Sequence, residues 1–170
     1  MTSIEALLQP FIGYMELEMW EEAEEELKSL PPEVQAHPAV QLARLDLLIE
    51  THAWERGVTL ANSLCEHWPE EPEFWIKRSY CLHELRRTLE AKKGLLAGPP
   101  KLRQQAIYMY NLACYEAQLG DLEAAQQLLT KCFKKDAHYR EASLDDSDLG
   151  PLWLSLKKQG ISPDAWVKRG

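Results

Sequence analysis

The sequence has no apolar run of the length that a transmembrane helix needs, about 20 residues. Residues 1–5 place no basic region ahead of an apolar stretch, which argues against a secretory signal peptide. Basic residues are the minority, 19 against 27 acidic ones, and the net charge of −8 disfavours nucleic acid and anionic membranes as partners. These absences predict a cytoplasmic protein that binds neither nucleic acid nor a membrane.

Catalytic and metal-binding motifs are also missing. The sequence contains no glycine-rich phosphate loop and no nucleophile elbow, and its five histidines are spread along the chain. The pairs Cys65-x-His67 and Cys81-x-His83 are spaced wrongly for one ion, because residues two apart on a helix point about 200° away from each other. We therefore expect no enzyme activity, no catalytic residue, no metal and no cofactor, and we interpret the four cysteines as buried core residues in a reducing compartment.

What the sequence does contain is a small residue at steps of 34 positions: Ala23, Gly57, Ala91 and Ala125. Three residues before them stand Trp20, Trp54, Thr88 and Leu122, and four residues after them stand Leu27, Ala61, Leu95 and Leu129. Spacings of three and four place these side chains on one face of a helix. Each unit is therefore predicted to hold two helices joined by a turn, with the small residue at their contact. The predicted helices are 3–17, 20–30, 38–51, 54–67, 72–86, 88–97, 103–119 and 121–134.

These units resemble the tetratricopeptide repeat family, whose 34-residue pattern is W-x2-L-G-x2-Y, then A-x3-F, then P. The third unit carries Trp75-x2-Arg78-Ser79 and Ala91-x3-Leu95, and the fourth carries Asn111-Leu112-Ala113 followed by Gly120-Asp121-Leu122. The resemblance implies an all-α, right-handed α-solenoid with four helix hairpins over residues 4–139. It also implies a non-enzymatic protein–protein interaction module.

Beyond residue 139 the repeat register stops. Leu149, Leu152, Trp153 and Leu156 then follow at i, i+3, i+4 and i+7, which predicts a short amphipathic helix near 148–158. A stacked array needs an end helix with one solvated face, so residues 140–170 are predicted to be a C-terminal cap and tail. Trp166 lies in that tail and is expected to need a packing partner.

The resemblance also implies where a partner binds, because the first helix of each hairpin lines the concave side in this family. The predicted partner-binding residues are Asp46, Ile49, Ile76, Tyr80, His83, Glu84, Tyr110, Asn111 and Cys114. Their aromatic, apolar and acidic character predicts a protein or peptide partner with apolar anchors and basic residues. Two alternatives stay open: a dedicated chaperone for a secreted or aggregation-prone client, and a self-associating structural adaptor. The oligomeric state is not predicted.

Overall fold

A computed structural model describes residues 3–169 of the chain. Within this range the backbone forms eleven α-helices and three short 3₁₀ turns, and no residue lies in a strand. None of the described helices is both long and apolar enough to cross a bilayer. The chain divides into two compact units, residues 1–69 and residues 70–170.

The first unit contains two helix hairpins. Helices α1 (Ile4–Glu16) and α2 (Trp20–Ser29) form one, and α3 (Pro38–Glu50) and α4 (Trp54–His67) form the other, close to the predicted bounds. Pro38 begins α3, as proline suits the first turn of a helix. One apolar core joins α1, α2 and α3; its buried residues are Leu8, Phe11, Ala23, Leu27, Leu30, Val40, Ala43 and Leu47.

The second unit continues with two further hairpins and then a helical end. Its hairpins are α5 (Pro72–Glu84) with α6 (Thr88–Leu96), and α7 (Ala106–Leu119) with α8 (Leu122–Lys135). The small residues predicted at the helix contacts are buried, with Ala91 and Ala125 fully enclosed. Three short helices follow: α9 (Tyr139–Asp145), α10 (Gly150–Lys158) and α11 (Pro163–Arg169).

The turn inside every hairpin has the same backbone conformation. The residues Glu18, His52, Arg86 and Gly120 have φ values of 55°, 56°, 62° and 93°, again at steps of 34 positions. The next N–H in each turn donates to the carbonyl five residues back, at 2.8–2.9 Å, as in a Schellman cap. The backbone therefore repeats with the period that the sequence predicts, although only the fourth turn uses the glycine that this conformation favours.

The predicted cap is present as α10, which packs on α7 and α8. Leu149, Leu152, Trp153 and Leu156 are all buried, so the apolar stripe faces the protein as predicted. The indole of Trp166 packs near the rings of Phe133 and Trp153, at centroid distances of 6.2 and 5.9 Å. Helix α9 was not predicted, because seven residues are too few to show a helical period.

Candidate partner-binding site

The face of α5 and α7 that was predicted to bind a partner carries a row of polar side chains. Tyr110, Cys114 and Gln118 follow one another at intervals of four along α7, which places them on one side of that helix. His83 lies in the last turn of α5 and is 4% exposed. Each of these four side chains can donate a hydrogen bond.

A segment of the same chain covers this face. Residues 146–149 follow α9 and fold into a 3₁₀ turn, Ser147–Leu149, in which Asp146 Oδ1 accepts from the backbone N–H of Asp148 at 2.9 Å. We call residues 146–149 the acidic turn. Ser147 is exposed, whereas Leu149 is fully buried, so the turn has one side against α7 and one side towards solvent.

Asp146 accepts two side-chain hydrogen bonds from α7. The hydroxyl of Tyr110 donates to Asp146 Oδ2 at 2.7 Å, and the thiol of Cys114 donates to the same oxygen at 3.7 Å. Burial, followed by the bond to Asp146, raises the pKa of the Tyr110 phenol above its usual range. Burial and then the neighbouring carboxylates likewise raise the pKa of the Cys114 thiol. Both groups therefore keep their protons at neutral pH and remain donors.

Asp148 is held by two different helices. His83 Nε2 lies 2.9 Å from Asp148 Oδ2, and the amide of Gln118 donates to the Asp148 backbone carbonyl at 2.8 Å. The other imidazole nitrogen, Nδ1, lies 2.9 Å from the hydroxyl of Thr88, and the ring packs against Tyr115. With Nε2 as the donor to Asp148, Nδ1 of a neutral ring accepts from Thr88, so both nitrogens are satisfied.

The same place holds the one group of possible metal ligands found among residues 3–169. Ligand atoms of Cys114, Asp146 and Asp148 all lie within 4.8 Å of one another. Each of the three side chains already has a hydrogen-bonding partner within the protein, since Asp146 Oδ2 is shared by Tyr110 and Cys114 and Asp148 Oδ2 contacts His83. The raised pKa of Cys114 also opposes the thiolate form that a metal needs. The arrangement favours hydrogen bonding over ion binding.

The structure therefore separates the nine predicted residues into groups. His83, Tyr110 and Cys114 contact the acidic turn, and Ile76 is buried within the second unit. Tyr80 is 39% exposed, while Glu84 and Asn111 are half-buried. In the first unit, Asp46 and Ile49 are half-buried on α3.

The acidic turn was not predicted to belong to the site, and Gln118, although it falls on the predicted groove-facing side of the fourth unit, was not among the nine predicted partner-binding residues. Gln118 shares the α7 face of Tyr110 and Cys114, so the spacing of four could have added it. The segment from Ser143 to Asp148 has the composition of turns and helix caps, and the sequence alone therefore predicts only a turn or a helix cap there. No local signal shows that its carboxylates bind side chains more than 30 residues away.

Comparison with known proteins supports the fold. No protein-family model matches the chain, and no curated protein sequence matches it either. Among solved structures, MamA MSR-1 C2 has a TM-score of 0.64 at 13% identity, covering 96% of this chain and 91% of that chain. An aspartate-to-lysine mutant of MamA has a TM-score of 0.63 at 12% identity, covering 96% and 94% of the two chains. MamA is a tetratricopeptide-repeat protein, so the all-α solenoid fold implied by the resemblance to that family is confirmed.

Proposed function

We propose that this protein is a non-catalytic interaction module that holds an extended or helical segment of a partner protein against the first helices of its hairpins. The observation that carries the proposal is the acidic turn, because this face of α5 and α7 already holds a polypeptide segment. Proteins of this fold are generally interaction modules and not enzymes. Because the acidic turn already packs on this face, it supports the proposal that the face binds peptide segments.

Exposed and half-buried residues on the first helices, considered in each unit separately, support a partner with apolar anchors and basic residues. On α5, the partly exposed Tyr80 lies four residues, about one helical turn, before Glu84, so the two side chains share one side of the helix. On α3 of the first unit, Ile49 stands between Asp46 and Glu50, of which Glu50 is exposed. Tyrosine offers a large contact area at little conformational entropy, and the carboxylates attract lysine and arginine.

The test compares two variants of one hairpin. Proteins captured by the tagged chain are identified by mass spectrometry, and the captured protein is then titrated against wild type, Tyr80→Ala and Leu89→Ala. Leu89 is 53% exposed on α6, the second helix of the same hairpin, and serves as the matched control. We expect Tyr80→Ala to weaken binding by about 2 kcal/mol, as central aromatic anchors do, and Leu89→Ala to leave it unchanged. Equal affinity for wild type and Tyr80→Ala would contradict the proposal.

Salt provides a second readout of the same titration. Attraction between acidic residues of this protein and basic residues of the partner fades as the Debye length shortens, from about 10 Å at 0.1 M to about 3 Å at 1 M salt. We expect the association rate to fall with salt, while the loss caused by Tyr80→Ala persists at every salt concentration. If the association rate does not change with salt, the hypothesis that the partner segment is basic is rejected.

A self-associating adaptor is the second candidate, and the distribution of charge favours it. Residues 1–69 carry 13 acidic and 3 basic residues, whereas residues 70–170 carry 14 acidic and 16 basic ones. Copies with oppositely charged surfaces attract each other head to tail. Light scattering over a range of concentrations tests this: a mass that rises with concentration and falls with salt supports the adaptor, and a constant monomer mass contradicts it.

A further inference from the structure

We propose that the face of α5 and α7 under the acidic turn is a recognition site for a partner segment of the pattern Asp-x-Asp-Leu. In the intact chain, residues 146–149 occupy this site in place of the partner segment. The inference rests on the proposed function and adds the chemistry of one ligand. It differs from the basic partner proposed for the exposed surface near Tyr80, because this covered face offers donors and not carboxylates.

The polar groups of the site select carboxylates. Tyr110, Cys114 and His83 reach the two aspartate side chains of the turn, and all three are buried at the face where they do so. A carboxylate accepts from several donors at once, whereas a lysine or arginine has no acceptor to offer them. A basic segment would therefore leave buried donors without partners, which is unfavourable.

The turn's geometry defines the pattern. The bond from the Asp148 N–H to Asp146 Oδ1 folds the backbone so that both carboxylates reach the same face, although only one residue separates them. That intervening residue, Ser147, is exposed, so its identity is not read. Leu149 is fully buried next to the second aspartate, which adds one apolar position. The site thus reads an aspartate, any residue, an aspartate and a leucine.

Covalent attachment explains why the internal turn holds the site in the intact chain. A segment tethered by a short linker competes at an effective concentration in roughly the millimolar range. A separate protein must therefore bind well, or the internal turn must be weakened, before exchange occurs. By competing for the site, the acidic turn prevents segments that bind weakly, or that lack the two carboxylates, from occupying it.

The experiment uses a labelled peptide with the sequence of residues 144–150, Leu-Asp-Asp-Ser-Asp-Leu-Gly, and fluorescence anisotropy. It is titrated against the full-length wild type, the double variant Asp146→Asn/Asp148→Asn, and the control Asp145→Asn. Asp145 is exposed at the end of α9 and carries the same charge one residue away. We expect the double variant to bind the peptide at least about tenfold more tightly than wild type or Asp145→Asn, because the tethered competitor is weakened. A peptide with asparagine in place of the last two aspartates should bind none of the three proteins.

Equal binding of the peptide to all three proteins, or binding to none of them, would overturn the proposal. If the double variant folds poorly, amide hydrogen exchange of the single variant Asp148→Asn provides a second test of the proposal. In Asp148→Asn we expect the amide N–H groups of residue 148 and of Leu149 to exchange faster than in Asp145→Asn, and unchanged protection overturns the proposal. A dimer of the double variant that the peptide disperses counts as recognition of the same turn from a second copy, whereas a dimer that it leaves intact counts against the proposal.

The peptide titration needs no natural partner. If the peptide does not bind, the proposal of an acidic ligand is rejected, but the proposal that the protein is an interaction module is not. If Tyr80→Ala does not weaken partner binding, the proposed partner-binding surface is rejected, but the peptide result still holds.

Discussion

Tyr110 and Asp146 join two parts of the chain that are 36 residues apart, through a hydrogen bond of 2.7 Å from the phenol to a carboxylate oxygen. The donor lies in the last hairpin and the acceptor begins the acidic turn beyond it. This pair links the last hairpin to the acidic turn that follows it.

Removing the phenol hydroxyl should destabilise the protein. In Tyr110→Phe, Asp146 keeps its charge but loses a donor, and hydrogen bonds to charged groups contribute about 1.5–3 kcal/mol. We expect a decrease of that size in the free energy of unfolding, measured by urea denaturation. The control is Tyr139→Phe, since the two rings pack at 4.7 Å and only Tyr110 bonds to Asp146. Equal stability of Tyr110→Phe and wild type would show that the bond contributes nothing.

The hairpin turns make a prediction about backbone strain. Arg86 has a φ of 62° in the third turn, a conformation that disfavours side chains with a Cβ by about 1–2 kcal/mol. Arg86→Gly should therefore raise the thermal midpoint, by an amount reduced by the extra flexibility of glycine in the unfolded chain. Gly120→Ala places a Cβ at a φ of 93° and should lower the midpoint. Shifts of the same sign in both variants would contradict the shared turn geometry.

The cap is tested by two leucines on one helix. Leu152 is fully buried on α10, whereas Leu154, two residues further, is 55% exposed. Leu152→Ala should destabilise the chain by about 2–5 kcal/mol, since it removes buried methyl groups and leaves a cavity. Leu154→Ala should stay within about 0.5 kcal/mol of wild type. If both variants melt together with wild type, α10 does not stabilise the hairpin next to it.

The buried thiols predict how stability depends on pH. Burial raises the pKa of Cys81 and of Cys132 to about 11, against about 8.5 for an unfolded cysteine. Between these values the unfolded chain releases thiol protons that the folded chain retains, so the free energy of unfolding falls as pH rises. Below pH 8.5 the effect disappears. Urea denaturation under reducing conditions at pH 8 and pH 10 measures it.

The matched comparison for that measurement is Cys81→Ala/Cys132→Ala, in which the decrease between the two pH values should be smaller. A decrease of the same size in both proteins would show that other groups cause it. Native protein should also react slowly with a thiol reagent at pH 8, because the thiolate is the reactive form.

The sequence predicted the repeated part of the fold well because its signal is local and occurs four times. Ala91 and Ala125 are enclosed at helix contacts as their spacing indicated, and the turns at Arg86 and Gly120 share one conformation. The stripe that ends in Leu156 predicted α10 for the same reason. Where an amphipathic period or a packed small residue determines the structure, the pattern is visible in a single sequence.

The covered site depended on contacts that no local pattern records. Tyr110 and Cys114 could be placed on one face of α7 from their spacing, but the residues that bind them come from beyond the repeats. The two aspartates of the acidic turn have the composition of a helix cap, and Asp146 does cap its own 3₁₀ turn. Their second role, as acceptors for α5 and α7, depends on how the chain returns after α9, which only the three-dimensional structure shows.

Cross-linking from two positions tests the central claim most directly, namely that the first helices of the hairpins contact the partner. A photoreactive phenylalanine analogue replaces Tyr80 on α5 in one protein and Leu89 on α6 in the other, both at exposed sites of one hairpin. After irradiation with the captured partner, we predict a cross-linked product from position 80 and none from position 89. A product from position 89 alone would contradict the account and move the binding surface to the second helices.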